Sequence, residues 1–297
     1  MRQSMSTGLA AGFLVLTSAA CAIDVQGAGV VTRDEKRFTV SGAPQLNLRT
    51  FDGAIQVRAW DQKDVRVEIQ RRGPDAQAAA ALVVSVTQDG DRIVIEALDP
   101  RRRDGGSLFG FWNSGSVNLI VTTPKNVTLE ARTGDGAIAT EGLAGSLVLD
   151  TGDGSIDVKG IDGRVKAHSG DGSIRIDDAV GSVDADTGDG AIDLSGRLEE
   201  VSLKSGDGSI RVQVAPGSTL EVDWNITTGD GAIDLRVPDT LNAEIDAHTG
   251  DGSVSGDGVV SSIGDDRRNR HDLRGRLGTG GHVLRVRSGD GSILISR

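Results

Sequence analysis

The strongest constraint on this chain is a six-residue motif, [S/T]-G-D-G-[S/A]-[I/V], that begins at Thr133, Thr151, Ser169, Thr187, Ser205, Thr228, Thr249 and Ser288. The first four intervals are eighteen residues each, and the next three are 23, 21 and 39. A weaker early copy, TFDGAI, begins at Thr50. After each regular copy the apolar residues alternate, as in Ile156 and Val158, and they alternate again eight or nine residues later, as in Val165 and Ala167. This is the pattern of two short strands per repeat, each burying one face. Eighteen residues holding two strands and two turns leave no room for a crossover helix. Copies that must bury a common face therefore stack into a solenoid.

The charges test that inference independently. Equivalent residues in successive parallel coils lie about 4.8 Å apart, and like charges at that separation are disfavoured. The position after the motif reads Asp157, Arg175, Asp193, Arg211, Asp234, and the position before it reads Arg132, Asp150, His168, Asp186, Lys204. Two further columns, Glu141, Lys159, Asp177 and Lys166, Asp184, also alternate in sign. Inward columns are apolar: Ile138, Ile156, Ile174, Ile192, Ile210, Ile233 and Ile293, broken by Val254, and Leu147, Val165, Val183 and Val201. Hexapeptide-built left-handed helices also use eighteen residues per coil, but Ile156 has no apolar partner at both six and twelve residues further on. The expected fold is all-β, a parallel β-solenoid of the β-helix or β-roll kind, with about 18 residues per coil and two main strands per coil.

Domain limits follow from where the pattern starts and breaks. Residues 1–22 combine Arg2, an apolar stretch through Leu16 and small residues, an export signal too short and too weakly apolar for a membrane span. Cys21, the only cysteine, either becomes the lipidated first residue of a bacterial lipoprotein or lies beside an ordinary cleavage site. Either way the protein is expected outside the cytoplasm, in the bacterial cell envelope, with a membrane reached only through a lipid anchor. Residues 28–132 read as irregular early coils, with a helical turn at 74–82 and an insertion at 99–116, and residues 133–297 as regular coils with a polar loop inserted at 261–281; together they form one continuous domain.

Composition narrows the function. A net charge of −11 argues against a nucleic-acid partner, and 42 glycines with no tyrosine, five Phe and three Trp require an interior of small aliphatic side chains. Within the motif, each glycine is expected to supply the positive φ of a tight reversal and each Asp to accept a hydrogen bond from its own turn. Three readings compete with that structural one. Stacked Asp135, Asp153, Asp171, Asp189 and Asp207 could bind calcium, as in β-rolls built from Gly-Asp nonapeptides; against this, the opposite turn offers Ala144, Asp162, Val180 and Glu199 and no second ligand column. Paired carboxylates could cleave glycans, yet near-identical copies share one environment, whereas an active site needs one residue whose environment differs. His168 and His248 sit in the charged column before the motif and read as ladder members. A self-assembling structural role, through end-to-end association of open strand edges, is the third. Phe109, Phe111 and Trp112, beside Arg101 to Arg103 in the first insertion, are candidate partner-contact residues, the alternative being that they fold back to cover an end or flank of the coil, since large exposed apolar groups are usually avoided.

The export signal, the strand pair around TFDGAIQV, the NLIVTTPKNVTLEARTGDGAI segment and the successive TGDGSI copies together resemble the bacterial domain-of-unknown-function family labelled "putative adhesin", over roughly residues 35–297. The resemblance implies a β-solenoid at the cell envelope with an adhesive role, and it supplies no catalytic residues. The expected function is a non-enzymatic envelope protein presenting its surface to another protein, a glycan or a surface.

Overall fold

The computed structural model describes residues 22–25, 29–98, 115–261 and 270–297; the export signal with Cys21, most of the 99–116 insertion with Phe109, Phe111 and Trp112, and part of the 261–281 insertion lie outside these residues. Alternating apolar side chains make the early segments strands, as expected, but only some of them wind. β1 (Ala22–Val25) and β2 (Val30–Thr39) pair antiparallel. β3 (Gln45–Arg49) and β4 (Ile55–Trp60) flank the TFDG turn and form the first coil. β5 (Asp64–Gly73) runs antiparallel to β2. The helical turn read at 74–82 is α1 (Ala76–Ala81), begun by Asp75, whose carboxylate accepts the Ala78 N–H at 2.8 Å. β6 (Val84–Asp89) and β7 (Arg92–Ala97) form a hairpin closed at Gly90, φ +57°, and β7 lies parallel to β3. β8 (Ser116–Pro124) is parallel to β4 and antiparallel to β5, and β9 (Asn126–Thr133) is parallel to β3. The early coils are thus made by β3–β4 and β8–β9, with β7 stacked parallel on β3; β2, β5 and β6 close this end with antiparallel pairing. The two-residue turn is Gly90–Asp91, with the positive φ at its first position supplied by glycine, and this Gly-Asp signal in QDGDR was present in the sequence.

The regular part matches the expected stack. β10 (Ile138–Thr151), β11 (Ile156–Ser169), β12 (Ile174–Thr187) and β13 (Ile192–Ser205) each span a whole coil as one bent strand of 14 residues. The two expected strands are its two limbs. They pair parallel in the register read from the charges, with Ile138 beside Ile156, Ile156 beside Ile174 and Ile174 beside Ile192. The bend lies at Gly142 (φ +72°) and Gly160 (φ +64°), where a left-handed backbone turns the corner; in the third coil Asp178 takes the same conformation at φ +56°, one of the few residue types that tolerates it. Both inward columns are buried, and the seven isoleucines of the first, Ile138, Ile156, Ile174, Ile192, Ile210, Ile233 and Ile293, are each at 1% exposure or less. At about 1.5–3 kcal/mol per buried aliphatic side chain, these stacks dominate the folding free energy.

The C-terminal coils are not stacked in chain order. β14 (Ile210–Val214), β15 (Trp224–Thr228) and β16 (Ile233–Arg236) continue the two faces on β13. β17 (Ala243–Thr249) and β18 (Val254–Gly256) make the outermost coil, followed by the short β19 (Val260–Ser261) and by β20 (Asp272–Leu277), which runs antiparallel to β17 and β19. β21 (Val283–Ser288) and β22 (Ile293–Ser296) then return inward: β21 lies between β15 and β17, and β22 between β16 and β18. The 39-residue interval is therefore an excursion to the cap and back. Val254, the exception in the isoleucine column, sits at its end. Residues 272–277, read as part of a polar loop, form a strand because Leu273, Gly275 and Leu277 alternate inward and Leu277 is 1% exposed.

Candidate functional site

The motif turns stack into a ridge along one edge of the solenoid, and their parts divide the labour differently from the sequence reading. None of the glycines in the eight full copies has a positive φ. Their requirement is steric. The N–H of Gly152 donates to the carbonyl of Gly134 at 2.6 Å, that of Gly170 to Gly152 and that of Gly188 to Gly170, each again at 2.6 Å. Turn backbones so close leave no space between coils: a methyl built on Gly154 would fall within the carbonyl group of Gly136, and one on Gly172 within that of Gly154.

The aspartates do not hold the turn either. Asp135, Asp153, Asp171, Asp189 and Asp207 are all exposed, and their carboxylates have no hydrogen-bond or ion-pair partner among the described residues. The polar fastening belongs to the first motif residue, which the sequence reading left without a role. The Ser169 hydroxyl, fully buried, donates to the carbonyl of Gly154 at 2.9 Å and accepts the N–H of Gly172 at 3.0 Å. The same donation recurs from Thr133 to Gly53, Thr151 to Gly136, Thr187 to Gly172, Ser205 to Gly190, Thr228 to Gly208, Ser288 to Gly231 and Thr249 to Gly291. The available signal was that every copy begins with a hydroxyl residue followed by apolar spacing.

The outer result is a row of exposed carboxylates about 4.8 Å apart. At the opposite corner Ala144, Asp162 and Val180 align as read, but a register slip between β12 and β13 places Arg197, not Glu199, beside Val180. Among the described residues no three His, Cys, Asp or Glu side chains gather as a metal site would require. The stacked aspartates offer one exposed ligand column, which fits calcium poorly, since that ion takes six to eight oxygens.

The two flat faces carry the expected ion-pair ladders. Asp193 is gripped from both neighbouring coils, by Arg175 at 3.3 Å and Arg211 at 2.9 Å. Asp186 meets His168 at 3.2 Å and Lys204 at 3.8 Å, Lys166 meets Asp184 at 3.3 Å, and Arg58 meets Glu141 at 3.4 Å. His168 thus stands in a ladder between stacked coils, whereas His248 contacts Asp272 of the antiparallel β20 at 2.8 Å and has Arg287 as its neighbour in the parallel coil. Exposed pairs of this kind contribute roughly 0–1 kcal/mol each, and their value lies in fixing which residue stacks on which. A shallow open depression around Asp193, lined also by Asp177, Ser195 and Gln213, lies beside the same register slip.

Among the described residues two carboxyls, Asp91 and Asp246, stand below the ordinary carboxylate range, and both are strand clamps. Asp91 is lowered by hydrogen bonds from the Ser41 N–H and hydroxyl and by the Gly42 N–H, which tie the turn before β3 to the β6–β7 hairpin. At Asp246, partial burial favours the neutral acid, but the hydrogen bond and charge of Arg287, 2.6 Å away, together with Arg274, outweigh it and lower the pKa. Asp246 on β17 thereby binds both the inserted β21 and the capping β20. A carboxyl depressed on folding stabilises fully above its unfolded pKa, near 3.9, and loses this as pH falls through the folded value. We expect Asp246→Asn to be less stable than the native chain in urea at about pH 7, with the difference shrinking below about pH 4; a difference constant with pH would show that the charge of Asp246 contributes nothing.

With the stacked turns and their register described, comparison with known proteins is informative. The Toastrack DUF4097 profile matches residues 44–296. The chain belongs to the Toastrack DUF4097 family. Among curated proteins none matches. Solved structures similar to this Toastrack chain include the "putative cell adhesion protein" of Clostridium sporogenes ATCC 15579, 12% identical, with 90% of this chain and 99% of that one covered at a TM-score of 0.24. The "putative adhesin" of Bacteroides fragilis NCTC 9343 is 12% identical, covering 89% and 96%, at 0.32. The "putative lipid binding protein" of Parabacteroides distasonis ATCC 8503 is 10% identical, covering 89% and 97%, at 0.29.

Proposed function

We propose that the protein is a non-enzymatic scaffold of the bacterial cell envelope that presents a rigid, repetitive surface to another protein, a glycan or a surface, and that it works without a bound metal. The observation that carries this reading is the solenoid itself. Successive coils repeat one environment, and the two carboxyls that depart from the ordinary range among the described residues, Asp91 and Asp246, are occupied as clamps between strands. Repetition of one environment suits contact with an extended partner better than it suits a single reaction centre. Export places the chain outside the cytoplasm, with Cys21 as a lipid anchor or a residue beside the cleavage site.

The contact assigned to the first insertion gives the test. Substituting Phe109, Phe111 and Trp112 together by Ser is expected to reduce binding of the purified chain to envelope preparations or glycan arrays at least tenfold, with thermal melting unchanged, and chelating calcium is expected to alter neither. Unchanged binding by the triple variant would remove the insertion from the reading, and a melting midpoint that falls on chelation would revive the calcium alternative.

A further inference from the structure

We propose that the N-terminal tip of the solenoid pairs with the same tip of a second copy, β6 against β6, extending one face of the coil across a two-fold axis. β6 is the terminal strand of its face, and β7 is its sole strand partner among the described residues. Its register fixes which backbone groups are free. Asp89 pairs with Arg92 across the two-residue turn, and Leu98 donates to the Val83 carbonyl at 2.9 Å. Hydrogen-bonded pairs alternate along an antiparallel ladder, so residues 83, 85, 87 and 89 bond to β7. Val84, Val86 and Gln88 turn their N–H and C=O groups to the open edge.

That edge is self-complementary. With Val86 on the two-fold axis, Val86 faces Val86 of the second copy and Val84 faces Gln88 of the second copy, each pair exchanging two main-chain bonds. Val84 and Val86 of both copies continue the same half-buried apolar face. Charge selects this occupant over a dissimilar strand end. Each copy carries −11, so self-contact is least opposed where charge is absent, and residues 76–88 hold no Asp, Glu, Lys or Arg in a chain that is 25% charged. The opposite end of the same face carries Asp272, Arg274 and Arg276 on β20, the kind of side chains that discourage edge pairing. The contact is small and therefore belongs with weak, concentration-dependent associations. It stands independently of what partner the scaffold binds.

The geometry puts Ser85 opposite Thr87 of the second copy, in a non-hydrogen-bonded pair whose Cα separation suits a disulfide. In the full chain carrying Cys21→Ser, mixing the Ser85→Cys and Thr87→Cys variants under mild oxidation is expected to give a mixed disulfide dimer in several-fold excess over either variant alone. Equal cross-linking in the mixture and in the single variants would overturn the proposal. A second measurement needs no thiol: S85K/T87K, both positions exposed, sets lysine opposite lysine and is expected to sediment as monomer at concentrations where the native chain dimerises. Addition of S85E/T87E is expected to restore the dimer. A native chain that stays monomeric to millimolar concentration, or a dimer indifferent to the lysines, would also overturn it.

Discussion

Replacing Gly172 by Ala is expected to cost more than about 3 kcal/mol, at the severe end for a single methyl group, while its neighbour Asp171→Asn changes stability by no more than about 0.5 kcal/mol. The contrast follows from what each residue meets. A Cβ on Gly172 has no rotamer to choose and collides with the carbonyl of Gly154, so relief requires separating two coils whose turns are bonded backbone to backbone at 2.6 Å. Separation at the ridge also loosens the buried Ile156 and Ile174 beside it. Asp171, by comparison, is exposed, and its like-charged neighbours repel it by about 0.9 kcal/mol each in water before screening. Asn at this position is therefore neutral or slightly stabilising, more so at low salt. Urea denaturation of both variants checks the pair; a Gly172→Ala midpoint near that of the native chain would show that the turns are not held in contact.

Ser169→Ala is the second large effect. The substitution removes one hydroxyl but strands two groups, the buried Gly154 carbonyl and the half-buried Gly172 N–H. A stranded buried group costs about 1–3 kcal/mol, and the half-buried Gly172 N–H stands at the low end of that range because water can reach it, which gives a loss of about 2–4 kcal/mol in all. Ser169→Thr should restore nearly all of it, because Thr151 and Thr187 occupy the adjoining places in the same column with the same donation. Amide exchange at Gly172 provides a local reading alongside the global one: protection lost in the Ala variant and kept in the Thr variant. If both variants behave alike, the hydroxyl column is packing and not fastening.

These expectations show where the sequence could be trusted. The pairing of Asp157 with Arg175 and of Lys166 with Asp184 was legible because charge alternation at an eighteen-residue interval has physical meaning only if those residues are neighbours, and they are. The isoleucine column was legible for the same reason. The roles within Gly-Asp-Gly were misassigned because they were argued from the conformational freedom of one residue in its own turn, whereas the neighbours that matter lie one coil away. Glu199 was misplaced at the second corner by two residues: an eighteen-residue step from Val180 reaches Leu198, already one short of Glu199, and the slip, invisible to a fixed count, moves the pairing one residue back to Arg197; Glu199 instead offers its carbonyl to Trp224 Nε1 at 3.1 Å.

By itself, the sequence determined the coil length, the inward and outward faces, the register of the regular stack apart from the slip between β12 and β13, and the place of His168 in a charge ladder. All of these follow from local alternation repeated at a constant interval. Only the tertiary structure decided that β21 and β22 slide between earlier coils, that antiparallel strands close the N-terminal end, and that the motif needs bare backbone and a hydroxyl more than it needs its acid. Each of these depends on which surface lies opposite a segment. Interchangeable coils present the same isoleucines and the same turn carbonyls, so composition cannot say which of them a returning strand will meet.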